Sequence, residues 1–218
     1  MFTPSKKQRL LLISAFRQES SIILDDYSYQ HTKSLQKFHL FQLQDYPIYL
    51  LELGKISIID PDSLETIIHQ IGPDFMVNFG ICGGLTDRVK LHQNYLITRV
   101  KHPDTEEITL SQPAVFQKTD STTILQTAEL FSAKEPILDK KKRNDLRKSS
   151  ACDLVDMEGY LIAHIAQKLD IPLIILKQVS DFADQHAKKL IKNHVRIWQN
   201  GLKQGLYEIL TLIKQTEN

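Results

Sequence analysis

Short apolar runs alternate with segments of helical periodicity along the chain. Five short apolar runs, as a group rich in β-branched residues, lie at residues 10–14, 46–53, 75–79, 95–100 and 173–179. Such runs are typical of buried β-strands. Helical spacing lies between several of them, at 63–71 and at 157–169, where Met157, Leu161, Ile165 and Leu169 recur every four residues. Strands that alternate with helices predict an α/β fold with a covered, mostly parallel sheet.

The two remaining long stretches differ in pattern. Residues 187–214 carry apolar side chains at helical spacing, which predicts one long amphipathic helix with Gly201 and Gly205 as weak points. Residues 101–151 lack a clear period and contain three prolines, so we expect a loop or lid there. The basic cluster 140–143 within it is expected to be a solvated helix face.

Composition narrows the class of protein. The chain has 27 Lys plus Arg against 26 Asp plus Glu, a net charge of +1, which argues against a partner nucleic acid. Cys82 and Cys152 form no CxxC pair, so neither a disulfide framework nor a zinc site is expected, and a cytoplasmic location is favoured. The apolar run 10–13 is far shorter than the about 20 residues of a bilayer span. We expect one soluble domain over residues 1–218 that does not bind a membrane.

A glycine-rich segment, residues 78–85, directly follows the apolar run 75–79. Ligands of open α/β sheets bind beyond the carboxyl ends of strands, and glycines allow a close approach of the backbone there. The spacing of Gly80, Gly83 and Gly84 is not GxGxxG, which argues against a dinucleotide-binding oxidoreductase. A plain tight turn that leaves the strand is the alternative interpretation.

Three further segments carry carboxylates that could do chemistry. Glu158, at the entrance of the helix 157–169, could accept hydrogen bonds from sugar hydroxyls, or it could be a helix cap like Asp153 and Asp156. Asp181, at the end of the run 173–179, could be a general acid of raised pKa, or it could cap the last helix with Asp184. Glu19 follows the first strand and could deprotonate a water, or it could lie in an ordinary polar turn.

In this order, the four segments resemble the nucleoside phosphorylase and nucleosidase superfamily, in particular the 5′-methylthioadenosine/S-adenosylhomocysteine nucleosidases. The sequence Val155-Asp-Met-Glu-Gly, followed by Val179-Ser-Asp-Phe-Ala-Asp, is similar to the family's V-E/D-M-E helix and S-D-x-x-D loop. Gly54-Lys55, Gly72-Pro73-Asp74 and the segment 78–85 match its G-K, K-P-D and N-T-G-S-A-G-G-L motifs in order. The resemblance implies a three-layer sandwich with a central, mostly parallel mixed sheet flanked by helices.

The resemblance also implies an activity, namely cleavage of the N-glycosidic bond of a 5′-substituted adenosine by water. Asp181 matches the acid that protonates N7 of the purine, and Glu19 matches the glutamate that activates the water. Met157 and Glu158 match the residues that hold the ribose. The other implied substrate contacts are Ala15, Gly80, Ile81, Cys82, Gly83, Phe131, Asp156 and Ser180. No metal or organic cofactor is implied, and the partner of a homodimer is expected to close the pocket over the 5′ substituent.

Departures from the family pattern keep other functions open. Ile81 stands where the family usually has Ser, as in the futalosine and adenosylhopane branches. Ser14 stands in place of Gly, and Asp156 in place of Glu. A phosphate-dependent phosphorylase would use Arg17 and Lys55 for phosphate. A nucleoside-binding protein could keep the fold and lack the chemistry.

Overall fold

The computed structural model of the chain describes residues 8–35, 38–44, 46–54, 59–103, 105–111 and 125–215. The strands are β1 Leu10–Ser14, β2 Tyr29–Leu35, β3 Phe38–Leu43, β4 Ile48–Glu52, β5 Phe75–Gly84, β6 Asn94–Lys101, β7 Ile108–Thr109, β8 Gln126–Ser132, β9 Leu154–Asp156 and β10 Leu173–Asp181. The helices are α1 Arg17–Leu24, α2 Pro61–Ile71, α3 Lys140–Ser150, α4 Gly159–Lys168, α5 Ala187–Asn193 and α6 Val195–Gln215. All five predicted strands are present, and the α/β class is confirmed.

The strands form one mixed sheet. β1 pairs in parallel with β4 and β5, and β5 pairs in parallel with β10, so that β4, β1, β5 and β10 run side by side in one direction. β2 and β3 continue the sheet antiparallel beyond β4. On the other side, β10, β6, β8, β9 and β5 pair in succession and close into a ring. The predicted parallel pairing therefore holds for the four central strands and for β6–β8 and β8–β9 of the ring. The pairs β10–β6 and β9–β5 and the edge formed by β2 and β3 are antiparallel, so the sheet is mixed.

Helices cover both faces of the central strands. Leu11 and Ile13 of β1 pack in one buried cluster with side chains of α2 and α4, whereas Leu10 and Leu12 pack in a second cluster with side chains of α1 and α6. Burial on both faces explains why these strands are continuous apolar runs rather than alternating ones. The cores thus hold the carboxyl ends of β1, β5 and β10 at one edge.

The C-terminal segment differs from the predicted single helix, because it breaks at His194 into α5 and α6. The two glycines expected as weak points lie inside α6. A Cβ on Gly201 would lie 2.2 Å from the Gln178 side chain, and a Cβ on Gly205 would lie 2.5 Å from that of Asn94. The glycines therefore admit close contact with β10 and β6 instead of bending the helix.

Other elements also depart from the sequence prediction. Residues 101–151 are not only loop, since they contain β7, β8 and α3, and α3 is the solvated basic helix that was expected for the cluster 140–143. β8 was not predicted because its buried positions, Ala128, Leu130 and Ser132, hold too few large apolar side chains to form an apolar run. The helix predicted at 157–169 begins at Gly159, and its buried face holds Ile162 and Ala166 rather than Leu161 and Leu169. The α1 segment was interpreted as a turn, and β2, β3 and β9 were not predicted.

Candidate active site

The carboxyl ends of β1, β5 and β10 open onto a cavity of about 480 Å³, where open α/β sheets bind their ligands. Its wall is largely apolar. Three acidic side chains of the wall, Asp156, Glu158 and Asp181, are themselves buried. The other lining residues are Ala15, Phe16, Gly54, Ile81, Cys82, Gly83, Lys134, Glu135, Pro136, Ile137, Leu138, Val155, Met157, Ser180, Ala183, Ala187 and Ile191.

Glu19 lies in the first turn of α1 and is only 1% exposed. Its Oε2 accepts hydrogen bonds from the backbone N–H of Ala15 (2.9 Å) and Phe16 (3.3 Å), and its Oε1 accepts one from the N–H of Ile81 (2.8 Å). The carboxylate therefore links the start of α1 to β5, and the polar-turn interpretation was wrong. Burial raises the pKa of Glu19 to about 8, the nearby Glu158 adds to the rise, and Lys177 opposes it.

Gly80 makes room for this carboxylate. The glycine-rich segment is not a turn but the second half of β5, and a Cβ at position 80 would lie 2.6 Å from Oε1 of Glu19. We expect Gly80→Ala to push Glu19 off the Ile81 N–H and to lower kcat by up to about 100-fold with little change in KM. Steady-state kinetics of Gly80→Ala in the wild-type and Glu19→Gln backgrounds would check this. The alanine should cost almost nothing in the second background, and fully additive losses would contradict a role through Glu19.

Asp181 ends β10 and is 5% exposed. Its Oδ1 accepts a hydrogen bond from the N–H of Ala183, and its Oδ2 lies 2.7 Å from the Ser180 hydroxyl. It does not cap α5, because Asp184 instead accepts the N–H of His186 at the start of that helix. Burial raises the pKa of Asp181, which favours a protonated carboxyl that can donate to a ligand.

Lys177 is a charged residue that sequence reasoning missed. Its side chain is fully buried in β10, where Nζ contacts Oε1 of Glu158 and lies 2.9 Å from Oδ2 of Asp156. Burial alone lowers the pKa of Lys177, but Asp156 and Glu158 outweigh it and hold that pKa above its usual range. Burial raises the pKa of Glu158, while Lys177 lowers it. A lysine inside an apolar strand was the available signal, since a buried charge needs a partner.

Most of the residues expected to bind substrate meet at the cavity. Nine of them line it, namely Ala15, Ile81, Cys82, Gly83, Asp156, Met157, Glu158, Ser180 and Asp181. Glu19 and Gly80 lie directly behind this lining, next to Ile81. The interpretation of Glu158 as a helix cap was wrong. Glu158 directly precedes α4, but its side chain makes no capping hydrogen bond and instead accepts one from Lys177.

Phe131 is not brought to the cavity. It precedes Ser132, whose hydroxyl reaches Asp156, and successive side chains of a strand point to opposite faces. The half-buried ring lines a separate open depression with Pro103 and Leu146. The part of this region that does line the cavity is the segment 134–138.

An apolar wall of the cavity also went unpredicted. Phe16, just before α1, packs edge to face on Trp198 with ring centroids 6.3 Å apart, and the Trp198 indole N–H donates to the carbonyl of Ile191 (3.0 Å). The break at His194 thus lets α5 lie against the cavity while α6 packs on the sheet. Ile191 belonged to the apolar stripe of the predicted C-terminal helix, so periodicity marked it as buried without indicating a ligand.

The basic residues considered for a phosphate site lie elsewhere. Arg17 is half exposed, 3.9 Å from Glu52 and over the ring of Phe41, and it does not line the cavity. Lys55 lies outside the described residues. Among the described residues, no group of three or more His, Cys, Asp or Glu side chains could hold a metal ion. No helix within the described ranges is long and apolar enough to cross a membrane.

Known proteins with similar sequences and folds point to one class. A family model of the phosphorylase superfamily matches residues 121–211. Among solved structures, a Helicobacter pylori MTAN mutant with 5′-methylthioadenosine in the active site aligns with a TM-score of 0.82 at 16% identity, over 95% of this chain and 99% of that chain. The chain therefore has the fold of the phosphorylase superfamily, and the resemblance drawn from its motifs is confirmed.

Within that class, the similarity is to the 5′-methylthioadenosine/S-adenosylhomocysteine nucleosidases. The enzyme of this name from Buchnera aphidicola subsp. Baizongia pistaciae is 23% identical over 238 residues, which covers 98% of this chain and 94% of that protein. An aminodeoxyfutalosine nucleosidase from Campylobacter jejuni is 21% identical over 204 residues, which covers 83% of this chain and 88% of that protein.

Proposed function

We propose that the chain is a nucleosidase that hydrolyses the N-glycosidic bond of a 5′-substituted adenosine, of the methylthioadenosine and adenosylhomocysteine type. The observation that carries the proposal is that one apolar cavity is lined by the buried carboxyl of Asp181 and has directly behind its lining, next to Ile81, a second buried carboxyl, Glu19, held by backbone N–H groups. The names of the similar proteins support the same activity.

The proposed reaction uses these side chains in one displacement. Protonated Asp181 donates its proton to N7 of the purine as the electron pair of the C1′–N9 bond moves onto the base. The ribose then carries positive charge at C1′ and O4′, which the buried carboxylates stabilise, and Glu158 accepts hydrogen bonds from the ribose hydroxyls. Ionised Glu19 takes a proton from the water whose oxygen bonds to C1′. The products are the free base and the 5′-substituted ribose, which carries the hydroxyl from water at C1′.

The charge of the cavity favours water over phosphate as the nucleophile. Among the described residues, the buried cation of the site is Lys177, which lies behind the lining and is already paired with Asp156 and Glu158. Lys134 lies at the exposed mouth, and Arg17 lies outside the cavity. A phosphate anion placed near Glu19 and Glu158 would meet like charges, and the described part of the chain offers no free counter-charge beside them.

The first test is the release of purine base, followed by chromatography, from methylthioadenosine, adenosylhomocysteine, adenosine, inosine, futalosine and aminodeoxyfutalosine, each with and without phosphate. We expect release from a 5′-substituted adenosine at the same rate in both conditions. A requirement for phosphate would identify a phosphorylase. Tight binding of all these nucleosides without release would identify a binding protein, whereas neither binding nor release would point to a bulkier 5′ group.

We also infer the finer architecture and the assembly. The chain is one nucleoside phosphorylase-like domain with a three-layer sandwich, as supported by α2 and α4 packing on one face of β1 and α1 and α6 on the other. It works as a homodimer, which the resemblance supports. Its place is the cytoplasm, which the two free cysteines support, because thiols stay reduced there. Analytical ultracentrifugation would test the dimer, and a monomer that keeps full turnover would refute it.

A further inference from the structure

Asp156 is placed differently from the other acids of the cavity. Its Oδ1 accepts a hydrogen bond from the Ser132 hydroxyl (2.6 Å), and its Oδ2 accepts one from the N–H of Gly159 (3.0 Å) and pairs with Lys177 (2.9 Å). The Asp156 side chain is only 1% exposed. Both oxygens are therefore engaged with the protein, which leaves Asp156 poorly suited to bind a substrate directly.

Two neighbouring elements, β8 and α4, hold the Asp156 carboxylate in place. Ser132 of β8 lies beside Asp156 of β9 in the parallel register, and its hydroxyl accepts the N–H of Tyr160 (2.8 Å). Gly159 begins α4, and a Cβ there would lie 2.9 Å from Oδ2 of Asp156. The amino end of a helix also favours a negative charge. A helix cap would need only the hydrogen bond from the Gly159 N–H. The further contacts of Asp156 with Ser132 and Lys177 therefore indicate an additional role.

Lys177 connects Asp156 electrostatically to the other acids of the site. Asp156 and Glu158 both contact the Lys177 ammonium, and Glu19 acts on it electrostatically. Two buried carboxylates thus contact one buried ammonium, and a third, Glu19, lies beside Gly80, which pairs with Lys177 in the register of β5 and β10. The group therefore carries excess negative charge whenever all three carboxylates are ionised. In a site of low polarity this excess negative charge raises the free energy of the protein, and a bound cation would lower it.

We propose that Asp156 is a positioning residue that draws part of the Lys177 charge away from Glu158 and Glu19, and so keeps those carboxylates under-neutralised until the cationic ribose forms. This inference rests on the proposed nucleosidase activity. Since the missing positive charge is supplied only in the transition state, the arrangement stabilises that state more than the bound substrate. Asp156 acts through Lys177 and not by touching the nucleoside.

The variant that tests this is Asp156→Asn, which keeps the shape and removes one negative charge. Lys177 should then neutralise Glu158 and Glu19 more fully. We expect the acidic limb of the kcat/KM profile to move to lower pH by about one unit, and kcat at the optimum to fall about tenfold while KM changes little. Asp153→Asn is the matched control, because Asp153 accepts from the Thr86 hydroxyl and contacts no part of the cluster. A lower rate with an unmoved limb would mean a merely structural role and would overturn the inference.

A measurement on the unaltered protein covers the case in which Asp156→Asn fails to fold. Calorimetry in buffers of different ionisation enthalpy would follow the binding of a 5′-methylthio pyrrolidinium analogue of the ribose, already protonated at pH 7, and of its neutral carbocyclic counterpart. We expect the cation, and not the neutral analogue, to release protons from the carboxylates. Equal proton release by both would overturn the inference. Base release by the wild type separately decides the proposed function.

Discussion

Asp181→Asn should lower kcat for a purine nucleoside by about 100- to 10,000-fold, the range that a positioned proton donor contributes. The amide has the shape of the carboxyl but cannot transfer a proton to N7, so the base would have to leave as an anion. The backbone N–H of Ala183 can still donate to the amide oxygen, and the fold should persist. Single-turnover base release, with thermal unfolding to verify folding, measures the effect.

Two controls separate the loss of a proton donor from a general disturbance. Asp170→Asn makes the same chemical change at an exposed position with φ 54, a conformation that Asn tolerates well, and it should leave turnover unchanged. A 4-nitrophenyl riboside has a leaving group that needs no proton, so Asp181→Asn should cleave it at a rate close to that of the wild type. Equal losses on both substrates would remove Asp181 from the role of acid.

The residues of the candidate site could be predicted from the sequence more completely than the helices and strands around them. Asp181 and Glu158 could be found because each ends or follows a strong apolar pattern, and the carboxyl ends of parallel strands meet at one edge. Gly80 and Gly83 were predicted to let the backbone approach a substrate, and the structure shows that each also makes room for protein side chains. A Cβ on Gly80 would meet the Glu19 carboxylate, and one on Gly83 would meet Ala183 (3.0 Å) and Val155 (3.2 Å). The interpretation of the glycine-rich segment as a turn was wrong, since glycine in a strand can serve close packing as well as a bend.

What could not be predicted depends on contacts between residues distant in the chain. The lysine at 177 is conspicuous in an apolar run, but its partners lie 19 and 21 residues earlier, and no periodic pattern connects them. Phe131 was placed in the cavity by resemblance alone, and the alternation of side chains along β8 turns it away. The break at His194 went unseen because α5 and α6 share a continuous apolar stripe.

Glu19→Gln should abolish most of the hydrolysis while sparing substrate binding. A glutamine cannot accept a proton from water, so kcat should fall by about 100-fold or more with KM nearly unchanged. Glu65→Gln is a suitable control, since Glu65 forms an exposed pair with Lys168, and such pairs contribute little. Base release at saturating substrate measures kcat. If the glutamine variant keeps the wild-type rate, Glu19 does not activate the water.

The pH dependence of kcat/KM in the wild type and in Glu19→Gln gives a second test of the role of Glu19. Water activation needs Glu19 ionised, so kcat/KM must rise with pH as Glu19 loses its proton. An ordinary glutamate would complete that rise well below neutral pH, but burial beside Glu158 raises the pKa of Glu19 to about 8, so the rise should extend through neutrality. The residual rate of Glu19→Gln should no longer climb between pH 6 and pH 9, because the group that titrates is gone. Profiles of kcat/KM for both proteins check this, and a limb that survives in the glutamine variant would assign it to another group of the cluster.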